Sequence, residues 1–200
     1  SMASHVMDWV TSGSHSVLCA TALHSSYRLF KDHRGPSVGF FLLGFSATLC
    51  LFHASTLQRE AEWTGEVLAP ALVSFDLLWL SQDHNTARVL LCGSCLLLGL
   101  SDWLSAETLT VLTRSLGLSS LSCCLTVCLF SGNAIGAAGG VALSLPLLLA
   151  QRADTNAFSL LISPPAAEGL MKYLLKGSLS IGCWLSTKAL NKFLLDVTDQ

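Results

Sequence analysis

A few ionisable residues lie within or beside long apolar stretches of the chain, and any chemistry inside a membrane would depend on them. A charged side chain near the centre of a bilayer costs roughly 2.5–3.5 kcal/mol on insertion scales, so it seldom occurs there without a role. The candidates for an intramembrane polar site are Asp76, Asp102, Arg114 and His53.

Arg114 is the most informative of these candidates. It lies about six residues, or about 9 Å, beyond the short polar turn around Ser105, and Asp102 precedes the same turn. A long arginine side chain can reach an aspartate across such a turn, and the pair would fix the register of two helices. We favour this structural interpretation. The alternative is that Arg114 anchors an anion or a lipid headgroup within a bundle.

Asp76 allows two interpretations. It lies between Ser74 and Trp79 in a short apolar stretch. A carboxylate enclosed in a helix bundle is suited to a proton relay or to a cation site. A carboxylate near the cytosolic end of a short helix would instead be hydrated. The sequence favours neither interpretation over the other.

His53, in the stretch Phe52-His53-Ala54-Ser55, precedes Asp76 by one predicted helix. This arrangement resembles the beginning of the membrane-bound alkaline ceramidases. The resemblance implies a zinc site made of an early histidine, an aspartate in the next helix and a histidine pair in a late helix. The chain departs from that pattern, because all six of its histidines precede residue 85. The ligand set is incomplete, so we predict neither a metal nor a cofactor.

The eight cysteines lie in apolar surroundings, which indicates that they pack as small hydrophobic residues. Cys92 and Cys95 form a CxxC pair, but the strand and helix context of a redox motif is missing. A thiolate site shared with Cys123, Cys124 and Cys128 is the alternative. We favour packing.

Gly132, Gly136 and Gly140 recur at four-residue spacing, which makes two overlapping GxxxG units. On one helix they would form a smooth face that lets another helix approach closely. We predict packing within the chain. A homodimer or a partner membrane protein on this face is the alternative.

The composition predicts a membrane protein. Of the 200 residues, 52% are hydrophobic and only 12% are charged, about half the charged fraction of soluble domains. Too few ionic groups remain to cover a surface in water, so lipids are the expected surroundings. The net charge of −2 is unsuited to binding nucleic acid. We expect one integral membrane domain over residues 1–200.

The elements that would position these polar residues are apolar stretches, each about as long as a membrane helix. We predict an all-α bundle of about seven membrane helices, within a range of six to eight, joined by short loops. The segment 156–175, with Pro164-Pro165 in its middle, is predicted to be a broken or interfacial helix, and 58–66 to be a loop. The first segment, 6–30, spans the membrane within the bundle or lies in the interface. The eight candidate segments are 6–30, 37–57, 67–81, 87–104, 108–130, 134–150, 156–175 and 177–195.

Basic residues predict the orientation of the bundle. Arg28, Lys31 and Arg34 surround the first predicted loop, which should therefore lie in the cytosol. With seven spans the N-terminus would be non-cytosolic and the C-terminus cytosolic. Arg88 agrees with this orientation, whereas Arg152 opposes it.

The packing motifs, without a complete catalytic set, favour a multi-pass endomembrane protein that acts as a non-catalytic accessory, scaffold or assembly subunit. The first alternative is a small transporter or lipid-handling protein, and the second is an intramembrane lipid-modifying enzyme. The sequence contains no Asn-x-Ser/Thr site, and we expect the endoplasmic reticulum or another endomembrane.

Overall fold

The computed structural model describes residues 2–52, 55–149 and 164–199, and this part of the chain is helical throughout, apart from its turns. A 3-10 turn, Ser101–Trp103, separates the fourth and fifth α-helices. The α-helices are α1 (Met2–Leu29), α2 (Arg34–Leu51), α3 (Ser55–Leu80), α4 (His84–Leu100), α5 (Ala106–Ser131), α6 (Ala134–Leu149) and α7 (Pro164–Thr198).

Consecutive helices run antiparallel. Cys19 bonds Thr48 across α1 and α2, and Ser26 bonds Ser37 nearer the turn. We call the end of the bundle that holds Met2 the amino end and the end that holds Thr198 the carboxyl end. Helix α3 is central and packs against α2, α4, α5, α6 and α7, while α7 packs against α1 and α6.

Hydroxyl groups join the helices inside this bundle. The side chains of Ser26 and Ser37 each donate to the other's backbone carbonyl oxygen, at 2.7 Å in both directions. Ser74 donates to the carbonyl oxygen of Ser120 at 2.8 Å, which joins α3 to α5. Bonds of this kind supplement packing where lipid removes the hydrophobic drive for helices to associate.

The glycine motif packs within the chain. A Cβ atom added to Gly136 or Gly140 would lie 2.5 Å from the sulfur of Cys128 or Cys124, respectively, so helices α5 and α6 are in close contact there. Both glycines are buried. The prediction that Gly132 belongs to the same face is wrong, because Gly132 ends α5 in a left-handed conformation (φ 72°) and precedes α6. Gly136 and Gly140 therefore lie against α5, and a partner at this face stays a prediction.

Two predicted boundaries are wrong. The segment 58–66 is not a loop but part of α3, because Glu62 and Glu66 lie one turn apart on a face that packs against α7. The described part of α7 begins at Pro164-Pro165, since the first turn of a helix does not need the missing N–H groups. Residues 156–163 of the predicted segment lie outside the described residues. The helix then continues through Gly177, where two segments were predicted.

Among the described residues, three helical segments are long and apolar enough to cross a membrane: Arg34–Leu51, His84–Trp103 and Ala106–Ser131. The count of seven spans stays a prediction. Large aromatic side chains are exposed at both ends, such as Trp103 (86%) at the amino end and Phe130 (90%) at the carboxyl end. Aromatic residues at two levels are typical of the boundaries between membrane and water.

Candidate functional site

A buried cation on α7 organises the amino end. Lys176 is only 6% exposed, and its Nζ donates to Oε1 of Glu62 and lies 3.8 Å from Oε1 of Glu66. Both glutamates belong to α3, four residues apart, so they face the same side. A buried ammonium needs such partners to offset its loss of hydration. The cluster therefore joins α3 to α7.

The electrostatics of this cluster follow from burial and proximity. Burial raises the pKa of the Glu66 carboxyl to about 7, although Lys176 acts in the opposite direction. Burial alone would lower the pKa of the Lys176 ammonium, but Glu66 and Glu62 raise it by more. Lys176 therefore stays charged, and Glu62 is the carboxylate that accepts its hydrogen bond.

A cavity of about 560 Å³ opens beside the cluster, and we call it the polar chamber. Helices α1, α2, α3 and α7 line it, and its wall combines carboxylates, ammonium groups, hydroxyls and an imidazole. Its size lies within the range of about 300–1,000 Å³ usual for small-molecule sites. The lining residues are Asp8, Thr11, Ser12, Ser14, His15, Cys50, Leu51, Glu62, Lys172, Tyr173 and Lys176.

His15 brings an unused polar atom to the polar chamber. Its side chain is half-buried, and its Nδ1 atom is buried without a hydrogen-bond partner in the described part of the chain. A buried polar atom in this state costs free energy unless something binds it. The chamber therefore contains a position that a ligand or a water molecule would satisfy.

A second cavity, of about 800 Å³, lies beside the chamber, and we call it the apolar groove. It runs between α1, α6 and α7 and shares Ser14 and Tyr173 with the chamber. Gly13 and Gly177 face it, and a Cβ atom at either would meet nothing within 4 Å. The remaining lining is mostly aliphatic: Val10, Val17, Ala138, Val141, Ala142, Leu145, Leu174 and Ile181, with Ser178 and Ser180.

The chamber and the groove lie side by side against the contact between α1 and α7, and we call the two together the recess. The chamber is lined from Asp8 to His15 along α1, and the groove from Val10 to Val17 along α1 and from Tyr173 to Ile181 along α7. At 1.5 Å per residue, the groove is about 10–12 Å long. The recess thus offers a polar compartment beside an apolar one.

The structure does not bring the predicted polar residues together. Asp76 lies at the carboxyl end, where its carboxylate bonds Nδ1 of the almost fully buried His33. Asp102 lies in the 3-10 turn between α4 and α5, and Arg114 lies on α5. His53 lies outside the described residues. A shared site for these four side chains is therefore not formed by the described part of the chain.

The predicted pair between Asp102 and Arg114 is also wrong. Asp102 lies in the 3-10 turn, the Nε atom of Arg114 is buried without a hydrogen-bond partner, and the ion pairs of the described residues do not include these two. The side chains of Asp102, in the turn, and Arg114, on α5, therefore do not meet. The cysteines of α4 and α5 likewise form no group of metal ligands within the described residues.

Sequence reasoning missed the residues of the polar chamber. A signal was present, because Glu62 and Glu66, like Lys172 and Lys176, repeat at the four-residue spacing of one helix face. Because consecutive helices run antiparallel, the beginnings of α3 and α7, which hold the two pairs, also lie at the same end of the bundle. The sequence does not state that α3 and α7 touch, and this contact unites the pairs.

Comparison with known proteins decides the class of the molecule. The chain is 28% identical to Transmembrane protein 276 of Mus musculus, covering 92% of this chain and 93% of that protein. Its identity to Transmembrane protein 276 is 29% for Bos taurus and 27% for Homo sapiens, with the same coverage. Together with the apolar helices, these similarities identify a membrane protein. No protein-family model and no solved structure matches the chain.

Proposed function

We propose that this chain is a multi-pass endomembrane protein that binds a membrane lipid in the recess and does not alter the lipid chemically. One observation carries the proposal: the polar chamber and the apolar groove lie side by side along α1 and α7, and Ser14 and Tyr173 line both. A molecule that fills both parts must itself be polar at one end and apolar along its length. Membrane lipids have this form and surround the protein.

The direction of the recess also supports a lipid. In the predicted orientation the chamber faces the non-cytosolic side, and the groove leads from it towards the middle of the bundle. A lipid of that leaflet would place its headgroup in the chamber and an acyl chain in the groove. The groove spans about 10–12 Å, which is most of one leaflet of a hydrocarbon core about 30 Å thick.

The accessory role is the second candidate. Helix α4 is only slightly buried, and a leucine-rich groove of about 400 Å³ separates it from α5. An apolar helix with so little cover within the chain is suited to contact with another membrane helix. A subunit of this kind would copurify with its partner at fixed stoichiometry, and we propose the endoplasmic reticulum as its location.

Mass spectrometry of the purified protein tests lipid binding. The protein is extracted in mild detergent, and the retained lipids are counted per polypeptide by native mass spectrometry. Gly177→Leu fills the groove without a clash, because a Cβ atom there meets nothing within 4 Å. We expect this variant to retain at least fivefold less lipid than the parent.

Gly99→Leu is the matched control. Gly99 is exposed on α4, its added Cβ would also meet nothing within 4 Å, and it lies outside the recess. We expect this variant to retain as much lipid as the parent. Equal retention by Gly177→Leu and the parent would overturn the proposal, as would a parent protein that retains no lipid.

A further inference from the structure

The charges of the polar chamber specify a headgroup, on the premise that the recess binds a lipid. We infer that the chamber takes a zwitterionic phospholipid headgroup, with an anionic phosphate and a cationic ammonium, in preference to an anionic headgroup. The inference concerns charge alone and leaves the number and length of the acyl chains open.

The first argument is the balance of charge around the chamber. Its charged lining residues are Asp8 and Glu62, with carboxylates, and Lys172 and Lys176, with ammonium groups. The wall is therefore neutral, and an anionic headgroup would meet as much repulsion as attraction. Neutral walls that carry both signs suit a ligand that is itself neutral and carries both signs.

The second argument is which charges remain available. Lys176 is used within the protein, because it pairs with Glu62 and Glu66. Asp8 of α1 and Lys172 of α7 are exposed, and neither forms an ion pair with another described residue. The chamber thus offers one anion and one cation from different helices, which are complementary to the ammonium and the phosphate of one headgroup.

Neutral polar groups complete the site. Tyr173 lies where the chamber meets the groove, the level at which the ester groups of a lipid would lie. Elsewhere in the chamber wall, Nδ1 of His15 has no hydrogen-bond partner among the described residues. A hydrogen bond to the ligand, directly or through water, would satisfy this atom and would hold the headgroup without adding charge.

Competition between lipids tests the preference. The purified full chain is incubated with equal amounts of phosphatidylcholine, phosphatidylethanolamine, phosphatidylserine and phosphatidylglycerol of identical acyl chains. Native mass spectrometry then reports the bound species. We expect the two zwitterionic lipids to be bound at least threefold more than the two anionic ones.

Charge exchange supplies the decisive variants. Asp8→Lys makes the wall positive, and we expect the preference to shift at least threefold towards the anionic lipids. Adding Lys172→Asp restores neutrality with the two signs exchanged, and the zwitterionic preference should return. Asp199→Lys, an equal change in charge at the exposed carboxyl end, should leave the preference as in the parent.

The possible failures can be distinguished. A parent protein that retains lipid but prefers anionic headgroups, or has no preference, would overturn the headgroup inference and leave the proposed function intact. The same holds if Asp8→Lys and Asp199→Lys behave alike. A parent protein that retains none of the four lipids would overturn the proposed function and the inference with it.

Discussion

The two ends of the bundle both contain a cation or imidazole beside a carboxylate, but they use it differently. At the carboxyl end, His33 is 1% exposed and bonds Asp76, so the pair is enclosed and joins the α1–α2 turn to α3. At the amino end, Lys176 also joins two helices, but its cluster borders a cavity that contains further charges. The cavity beside the Lys176 cluster is what distinguishes the amino end, and the proposed function is placed there for that reason.

Loss of the amino-end cation should have the largest effect on stability. Lys176→Met leaves Glu62 and Glu66 facing α7 without their cation, and we expect the free energy of unfolding to fall by about 3 kcal/mol. Unfolding in detergent micelles can be followed by tryptophan fluorescence. The control is Lys192→Met on the exposed side of α7, for which we expect a change within about 0.5 kcal/mol.

The stability lost in Lys176→Met should be restored by further substitutions in the same cluster. Adding Glu62→Met and Glu66→Met to Lys176→Met removes the unpaired carboxylates, so most of the lost stability should return. If Lys176→Met unfolds like Lys192→Met, the cluster does not join α3 to α7 as its geometry indicates.

The carboxyl-end pair should affect stability without affecting ligand binding. Asp76→Asn weakens a hydrogen bond to a charged group, and we expect a loss of about 2 kcal/mol in the same unfolding measurement. Lipid retention measured by mass spectrometry should equal that of the parent. A variant that stays folded but loses its lipid would show that the two ends do not have separate roles.

The glycines between the two ends should show an intermediate effect. Gly140→Ala forces a Cβ atom against the sulfur of Cys124, and overpacking of this kind costs about 1.5 kcal/mol. Replacing Cys124 by alanine as well removes the obstructing atom, so the double variant should recover part of the loss. Full stability of Gly140→Ala alone would mean that α5 and α6 are further apart there.

The smallest effect on stability is expected in the groove itself. Gly177→Leu adds a side chain into open space, so we expect a change within about 0.5 kcal/mol, as for Gly99→Leu. Only the first of these variants should lose its lipid. A large loss of stability at Gly177 would mean that the groove supports the fold and is not an empty ligand site.

Local features of the structure could be predicted from the sequence. The apolar stretches 87–104 and 108–130 correspond to α4 with its 3-10 turn and to α5, within a few residues at each boundary. Ser105 accepts a hydrogen bond from the backbone N–H of Thr108, as expected at the start of a helix. These features depend on neighbouring residues, and a sequence displays neighbours directly.

Features that depend on distant residues could not be predicted. Lys176 and Glu62 are separated by 114 positions, and nothing in either segment indicates that α3 and α7 touch. The same difficulty applies to His33 and Asp76, each of which pairs through a contact between separate helices. The polarity of 58–66 predicts a loop, because in the sequence the acidic residues that face α7 look the same as solvated ones.

The length of α7 has a further consequence for the recess. With 35 residues the helix is about 52 Å long, whereas the hydrocarbon core of a bilayer is about 30 Å thick. On the prediction that α7 crosses the bilayer, such a helix must either tilt or project, and the balance changes with bilayer thickness. Lys172 and Tyr173 lie in its first third, so a thicker bilayer would immerse the chamber mouth and a thinner one would lift it above the lipid surface. Access of a lipid to this protein should therefore depend on which membrane it resides in.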